Sequence, residues 1–160
     1  MENKQESQGM CCPISGCPIK KVAILAIAAF ATIFGFQWLY HGVYMMPDYQ
    51  ATAAMWRPEE QMKDFVHICM ISKGLMALAF SGLFCMAMKS TCGSPCPVKG
   101  AKIGLLMGLL LGAASFASYA WLPFETMDIP LKWLAGDVLM GVIVGAVLGL
   151  VCRMCKKDCA

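Results

Sequence analysis

The chain has 160 residues, the size of one domain, and 59% of them are hydrophobic. A water-soluble protein of this length has too little interior to bury so much apolar surface, which argues against a soluble globular domain. The formal net charge is only +3, and no long basic run occurs, so no nucleic-acid partner is expected.

Four apolar stretches follow one another along the chain, at residues 22–46, 65–88, 103–122 and 131–151. Each is close to the length of about 20 residues that a helix needs to cross the hydrocarbon of a bilayer. Each is apolar around its whole circumference, unlike the helices of a soluble bundle. The sequence therefore predicts an all-α protein, a bundle of four transmembrane helices with the lipid bilayer as its solvent.

Basic residues are distributed unequally between the two sides that four spans would create. One side holds the termini and the middle loop, with Lys4, Lys20, Lys21, Lys89, Lys99, Lys102, Arg153, Lys156 and Lys157. The other side holds Arg57, Lys63 and Lys132. Because positive residues concentrate in the cytoplasm, this bias predicts that both termini are cytoplasmic.

The segments outside the four spans differ in character. Residues 1–19 are a polar segment with cysteines and prolines that is predicted to be flexible, residues 20–153 form the membrane domain, and residues 154–160 form a cysteine-containing tail. The longest outer loop contains Pro58-Glu59-Glu60, a pattern typical of a helix start. A short interfacial helix is expected there, anchored by Trp56 and Arg57.

Short motifs suggest that the chain is duplicated. Cys17-Pro18-Ile19-Lys20 precedes the first span as Cys96-Pro97-Val98-Lys99 precedes the third. The second and fourth spans end with the same spacing of Gly, Cys, Lys and Cys, at Gly82, Cys85, Lys89 and Cys92, and at Gly149, Cys152, Lys156 and Cys159. This pattern predicts two parallel two-helix repeats.

Glycines recur at every fourth position in the third and fourth spans, at Gly100, Gly104, Gly108 and Gly112, and at Gly141, Gly145 and Gly149. Such stripes let two helix backbones approach closely, so these two helices are expected to pack against each other or against another copy or partner in a membrane complex.

Aromatic residues gather near the outer boundary of the predicted spans, at Trp38, Tyr40, Tyr44, Tyr49, Trp56, Tyr119, Trp121 and Trp133. Tryptophan and tyrosine are enriched at membrane interfaces, so an aromatic belt explains them without a ligand cage.

Part of the C-terminal half resembles a family of small four-helix membrane proteins of bacteria whose activity is uncharacterised. The resemblance is carried by Gly104-Leu105-Leu106-Met107-Gly108-Leu109-Leu110, by Tyr119-Ala120-Trp121-Leu122-Pro123 and by Trp133-Leu134-Ala135-Gly136-Asp137. It implies the fold and the membrane location, and it brings no activity or site residues. The cysteines of this chain are not part of that pattern.

Eight of the ten cysteines are predicted on the cytoplasmic side, at Cys11, Cys12, Cys17, Cys92, Cys96, Cys152, Cys155 and Cys159. Structural disulfides are disfavoured in a reducing compartment, whereas thiolates bind Cu, Zn or an iron–sulfur cluster. The structural alternative is that cysteine is a small apolar residue near helix ends. The Cys11-Cys12 pair is similar to the paired cysteines of bacterial mercury transport proteins, although here it precedes the first span instead of lying within it.

Two ionisable residues lie inside predicted spans, Lys73 in the second and Asp137 in the fourth. A lone charge in hydrocarbon costs at least about 2.5 kcal/mol, so the two are expected to pair. The pair could serve ion or proton movement, or it could fix the register of two helices. Gln37, His41 and His67 are predicted at a similar depth and could join it.

Three functions remain open at this point. The sequence has no hydrolase elbow, phosphate loop, dinucleotide-binding glycine pattern or HExxH motif, so a non-enzymatic role is expected. The first function is soft-metal binding or thiol-redox sensing through the cytoplasmic cysteines. The alternatives are a structural or accessory subunit, as a homo-oligomer or in a larger membrane complex, and a small transporter that uses Lys73 and Asp137.

Overall fold

The computed structural model describes residues 19–90 and 96–157, with the side chains of residues 89, 90 and 155–157 left aside. The described part is all α-helical and contains no strand. Its helices are α1 (Ile19–Leu39), α2 (Met46–Ala51), α3 (Glu59–Asp64), α4 (Val66–Ser90), α5 (Pro97–Ala117) and α6 (Asp128–Lys157). A π-helical turn (Tyr40–Tyr44) and two 3-10 turns (Ala53–Met55 and Ser118–Ala120) complete it.

The predicted all-α bundle is confirmed. Four helical segments are long and apolar enough to cross a membrane: Ile19–Tyr44, Val66–Met88, Pro97–Ala120 and Asp128–Met154. Their boundaries differ from the apolar stretches mainly at three helix starts, of which that of α1, at Ile19, is three residues earlier than predicted. Helix α5 begins six residues earlier than predicted, because Cys96 Sγ accepts a hydrogen bond from the Lys99 amide and Pro97 occupies the first turn. Helix α6 begins at Asp128, three residues earlier.

Helices α5 and α6 are antiparallel and in backbone contact along their glycine stripes. A Cβ atom added at Gly100 or Gly104 would collide with the carbonyl oxygen of Gly145 or Gly141 respectively. Further along, one added at Gly108 would lie 2.6 Å from the Asp137 carbonyl oxygen. Backbone cannot move aside as a side chain can, so only glycine fits these positions. The close approach expected between the two stripes is present.

Helix α1 lies against both α4 and α6, whereas α4 has little contact with α5 and α6. The core between them consists of large side chains, with Leu25 and Ile33 of α1, Phe80 and Phe84 of α4 and Met140 of α6 all buried. It fills the bundle from the level of Ile33 toward the end where α4 finishes and α5 begins. The helices are therefore arranged in the order α4, α1, α6, α5.

The surface of the bundle is apolar. Ile27, Ile71, Leu106 and Leu110 are 70%, 61%, 69% and 71% exposed, and they point away from the core on α1, α4 and α5. Soluble monomers rarely expose so continuous an apolar surface, because water would penalise it. A hydrocarbon solvent removes that penalty.

One end of the bundle carries a cap, formed by residues 45–64 and 121–127. The helix predicted at Glu59 is confirmed as α3, and Pro58 immediately precedes it. Helix α2 was not predicted, because the chain from Pro47 onward was assigned to the outer loop. The cap has a small core of its own around Met45, Phe124 and Ile129.

Candidate functional site

The carboxylate of Asp137 lies half-buried in the apolar part of α6, nine residues after the start of that helix at Asp128. Ser115 Oγ of α5 donates a hydrogen bond of 2.5 Å to Asp137 Oδ2. Such a bond to a charged group stabilises it by about 1.5–3 kcal/mol, which is similar to the cost of placing one carboxylate in a membrane interior. Ser115 therefore offsets much of that cost.

Lys73 of α4 and His41 of the π-helical turn lie close enough to Asp137 for its carboxylate to act electrostatically on both side chains. The direct ion pair expected between Lys73 and Asp137 is not formed, since no nitrogen–oxygen distance of 4 Å or less joins them. The carboxylate takes its short hydrogen bond from Ser115 instead. We call this group the polar site: Asp137 of α6, Ser115 of α5, Lys73 of α4 and His41 of the π-helical turn that follows α1.

Gln37 of α1 lies one helical turn before His41, in the seam where α1 packs against α6, and it carries a hydrogen-bond acceptor without a donor in the described part of the chain. Its Nε2 donates to Met140 Sδ at 3.6 Å, one turn along α6 from Asp137. Its Oε1 is buried and accepts no hydrogen bond from the described residues. A buried acceptor without a donor is uncommon and costs free energy, so a hydrogen-bond donor such as water is expected at Gln37 Oε1.

His41 is held from the cap by a short hydrogen-bonded chain. His41 Nδ1 lies 2.6 Å from Tyr49 Oη, and Trp133 Nε1 donates to the same oxygen at 2.8 Å. The indole can only donate, so the Tyr49 hydroxyl accepts from Trp133 and keeps its own proton for His41. When that proton is donated to His41, Nδ1 is the acceptor and Nε2 carries the proton of the neutral ring.

Burial raises the pKa of Tyr49 to about 12, although the hydrogen bond from Trp133 opposes the shift. Its ring stacks on His41, with ring centroids 6.1 Å apart, and meets Trp56 edge-on at 5.4 Å. Tyr49 therefore remains a neutral hydroxyl, able to donate, over the whole physiological pH range.

A second polar link attaches α2 to α6. Lys132 Nζ contacts both carboxylate oxygens of Asp48, at 2.7 and 2.8 Å. The backbone carbonyl of Lys132 accepts a hydrogen bond of 2.8 Å from Tyr40 Oη. Two successive residues of α2, Asp48 and Tyr49, thus bind two successive residues of α6, and α2 is fixed above the polar site.

The predicted aromatic belt is divided by the structure into two groups. Trp38 and Trp121 are 63% and 71% exposed, as an interfacial position requires. Tyr49, Trp56 and Trp133 instead pack into the small core of the cap. The predicted anchor Trp56 is one of these, and its Nε1 donates to Thr52 Oγ1 at 2.9 Å.

His67 does not join the polar site. It is exposed in the first turn of α4, six residues from Lys73. Of the predicted intramembrane polar residues, the structure brings together Lys73, Asp137 and His41.

Most of the predicted thiol site lies outside the described residues, namely Cys11, Cys12, Cys17, Cys92 and Cys159. Helix α6 continues through Cys155, whose side chain is not described. Cys152 is buried in the core, and Cys96 caps α5. Among the side chains that the structure describes, in residues 19–88 and 96–154, no three of His, Cys, Asp or Glu are grouped as a metal ion would require.

Ser115 and Tyr49 are the site residues that sequence reasoning missed. Asp137 and Ser115 are 22 positions apart in the sequence. Their contact could have been predicted only from the alignment of the α5 and α6 glycines, which brings Gly112 opposite Leu134. Tyr49 had no comparable signal, because its position depends on α2.

Comparison with known proteins adds no relative: no protein-family model, no curated protein and no solved structure matches the chain. The resemblance to a bacterial four-helix family therefore stays a prediction. The geometry of the polar site is the basis for any assignment of function.

Proposed function

We propose that this chain is an integral protein of a bacterial inner membrane that moves a small cation across the bilayer through the polar site. The observation that carries the proposal is the convergence of Asp137, Lys73 and His41, from three helices, within segments apolar enough to span a membrane. Ionisable groups at such positions cost about 2.5–3.5 kcal/mol each and in membrane proteins mark ion or proton pathways.

The membrane location is supported by the apolar surface of all four long helices and by the uneven distribution of Lys and Arg. In the proposed orientation both termini are cytoplasmic and the cap faces outward. Glu59, Glu60, Asp64 and Glu125 then lie outside, where they would attract cations toward the cap.

The path is closed on the cytoplasmic side of the site in the described state. Beyond Met140, the seam between α1 and α6 is filled by Ile33, Val144, Leu25 and Leu148, all buried and apolar. A cation bound at Asp137 would reach the cytoplasm only after these helices separate. Helix α4, which has the least contact with the other helices among the four, is the element that can move with the smallest loss of packing.

Flux into liposomes tests this proposal. Purified protein is reconstituted, a cation or pH gradient is imposed, and the initial rate is compared with that of Asp137→Asn, which keeps the shape but cannot carry the charge. Asp128→Asn, which changes an exposed aspartate at the start of the same helix, is the matched control. We expect Asp137→Asn to abolish flux and Asp128→Asn to preserve it; equal rates for all three proteins would refute the transporter.

A second candidate, soft-metal binding or thiol sensing, is supported by one contact. Gly149 of α6 lies against the carbonyl of Cys96, which places Cys96 and the end of α6, with Cys152 and Cys155, at the same end of the bundle. Thiolates are the ligands that suit Cu, Zn or an iron–sulfur cluster.

Metal analysis of protein purified without chelator tests the second candidate. Stoichiometric metal that is lost when Cys92, Cys96, Cys155 and Cys159 become serine would support it. Cys69→Ser, which alters an exposed cysteine near the cap, should leave the metal in place. Absence of metal, together with no thiol-dependent response, would dismiss this candidate.

A further inference from the structure

We infer that the cation taken by the polar site is the proton, and that His41 passes it from the cap to Asp137. This inference rests on the proposed transport function and names its substrate. Three observations carry it: the hydrogen-bonded chain through Tyr49, the unsatisfied acceptor of Gln37, and the position of Lys73.

The chain Trp133–Tyr49–His41 orients the imidazole for transfer. Tyr49 donates to Nδ1, so the ring is fixed with its other nitrogen, Nε2, carrying the proton. The aromatic rings of Tyr40 and Tyr49 enclose His41 edge-on and face-on, at centroid distances of 5.5 and 6.1 Å. A ring held in this way cannot flip freely, and its protonated nitrogen keeps one direction.

The charges around His41 come from every element packed near it. Tyr49 of α2 is a neutral hydroxyl, Lys73 of α4 is a cation and Asp137 of α6 is an anion. Lys73 repels a second positive charge, whereas Asp137 attracts one. A proton can therefore stay on His41 only briefly, and the carboxylate is its natural destination.

The transfer step moves one proton from His41 to Asp137. An N–H bond of the His41 imidazolium breaks and an O–H bond forms on the Asp137 carboxylate, leaving neutral imidazole and neutral carboxylic acid. Gln37 Oε1, buried where α1 packs against α6 and without a donor among the described residues, can accept a hydrogen bond from a water molecule that relays the proton. No other bond changes, and no further reactant is required.

The same geometry disfavours a metal cation. Hard cations such as Mg²⁺ or Ca²⁺ need six or more oxygen ligands in proteins. The polar site and the neighbouring Gln37 offer the oxygens of Asp137, Ser115 and Gln37, and the positive charge of Lys73 acts against a second cation at the carboxylate. A proton needs only one acceptor at a time.

Proton flux through defined variants tests the inference. Liposomes with a trapped pH-sensitive dye, a clamped membrane potential and no sodium gradient report proton entry. We expect His41→Gln, which keeps a polar side chain that cannot titrate, to reduce the rate at least tenfold. His67→Gln, which alters the other histidine, should retain the wild-type rate, and radioactive sodium should not enter.

The outcomes separate this inference from the function on which it rests. If Asp137→Asn is inactive while His41→Gln transports protons at the wild-type rate, the relay is wrong and the transporter stands. If sodium flux is seen without proton flux, the substrate is wrong and the transporter stands. If wild-type protein moves neither ion, both proposals fall.

A readout independent of flux tests the positioning role of Tyr49. Nitrogen NMR of ¹⁵N-histidine-labelled protein near neutral pH should show His41 with an unprotonated Nδ1 and a protonated Nε2. Tyr49→Phe removes the donor to Nδ1 and should produce a mixture of tautomers with a smaller loss of flux than His41→Gln. A single unchanged tautomer in Tyr49→Phe would contradict the assigned hydrogen bond.

Discussion

The two helix pairs of this protein, α1–α4 and α5–α6, would be equivalent if the chain were a duplication, yet they pack by opposite means. Gly149 of α6 is pressed against the backbone at Cys96, whereas the corresponding Gly82 of α4 has nothing within 4 Å of an added Cβ atom. Cys85 and Cys152, also at equivalent positions, are both buried. The repeated Gly and Cys motif of α4 and α6 therefore occurs in two helices that lie at different distances from their neighbouring backbones.

Spacing explains the difference. Helix α5 repeats glycine four times at intervals of four, which makes a continuous groove along one face. Helix α4 has only Gly74 and Gly82, eight residues apart, and the large rings of Phe80 and Phe84 lie between it and α1. The α5–α6 pair packs closely because glycine has no side chain, whereas the α1–α4 pair packs through large side chains.

The difference has a functional consequence. The backbone contact between α5 and α6 holds Ser115 opposite Asp137, so the carboxylate belongs to the closely packed pair. Lys73 belongs to α4, which has little contact with that pair. Asp137 is therefore a fixed anion, and Lys73 is a nearby cation that can be displaced.

The largest expected effect is a loss of stability when the glycine groove is filled. Gly104→Val places three carbon atoms where the Gly141 carbonyl lies, and the free energy of unfolding should fall by about 3 kcal/mol or more, since backbone cannot yield. Reversible unfolding in detergent measures it. Gly82→Val is the matched control and should stay within about 0.5 kcal/mol of wild type; equal losses would show that the two glycines are equivalent.

A smaller loss is expected where the α1–α4 pair depends on side-chain volume. Phe84→Ala empties a buried site and should cost about 2 kcal/mol through lost packing, because lipid solvates the ring of the separated helix as well. Leu110→Ala, on the exposed face of α5, provides the comparison by the same unfolding measurement. If Leu110→Ala proved as costly, the exposed face would instead be an interface.

The smallest expected effect concerns the cap and depends on pH. The pKa of Tyr49 is about 12 in the folded protein and near 10 when the chain is unfolded, so the folded form retains the proton longer. Stability from the neutral hydroxyl is therefore complete below pH 10 and is lost as pH rises toward 12. Tyr49→Phe should show a shallower decline of stability across that window, and Tyr44→Phe should follow wild type. Parallel declines in all three would contradict the burial of Tyr49.

The helices were predictable because their length and composition constrain them strongly. A segment of about 20 residues that is almost wholly apolar has few alternatives to a long helix, and Pro58 with Glu59 marked the start of α3 by local chemistry alone. The glycine contact followed from a regular spacing along α5 and α6.

The polar site was predictable only in part. Composition alone identified Lys73 and Asp137 as unusual, and their depth suggested proximity. Their direct pairing was not formed, since Ser115 satisfies the carboxylate, and the position of Tyr49 depends on a π-helical turn and on α2, which no local pattern indicated. Such contacts depend on the mutual placement of several elements.

The depth of these helices in a bilayer is the quantity on which the whole account depends. Single spin labels at Leu75 and Leu110, 62% and 71% exposed, can be compared with one at Glu60 of the cap in reconstituted liposomes, by collision with oxygen and with a water-soluble nickel complex. We expect Leu75 and Leu110 to meet oxygen readily and nickel rarely, and Glu60 to show the reverse. Free access of nickel to Leu75 and Leu110 would place water around the helices and contradict a membrane-embedded site at Asp137.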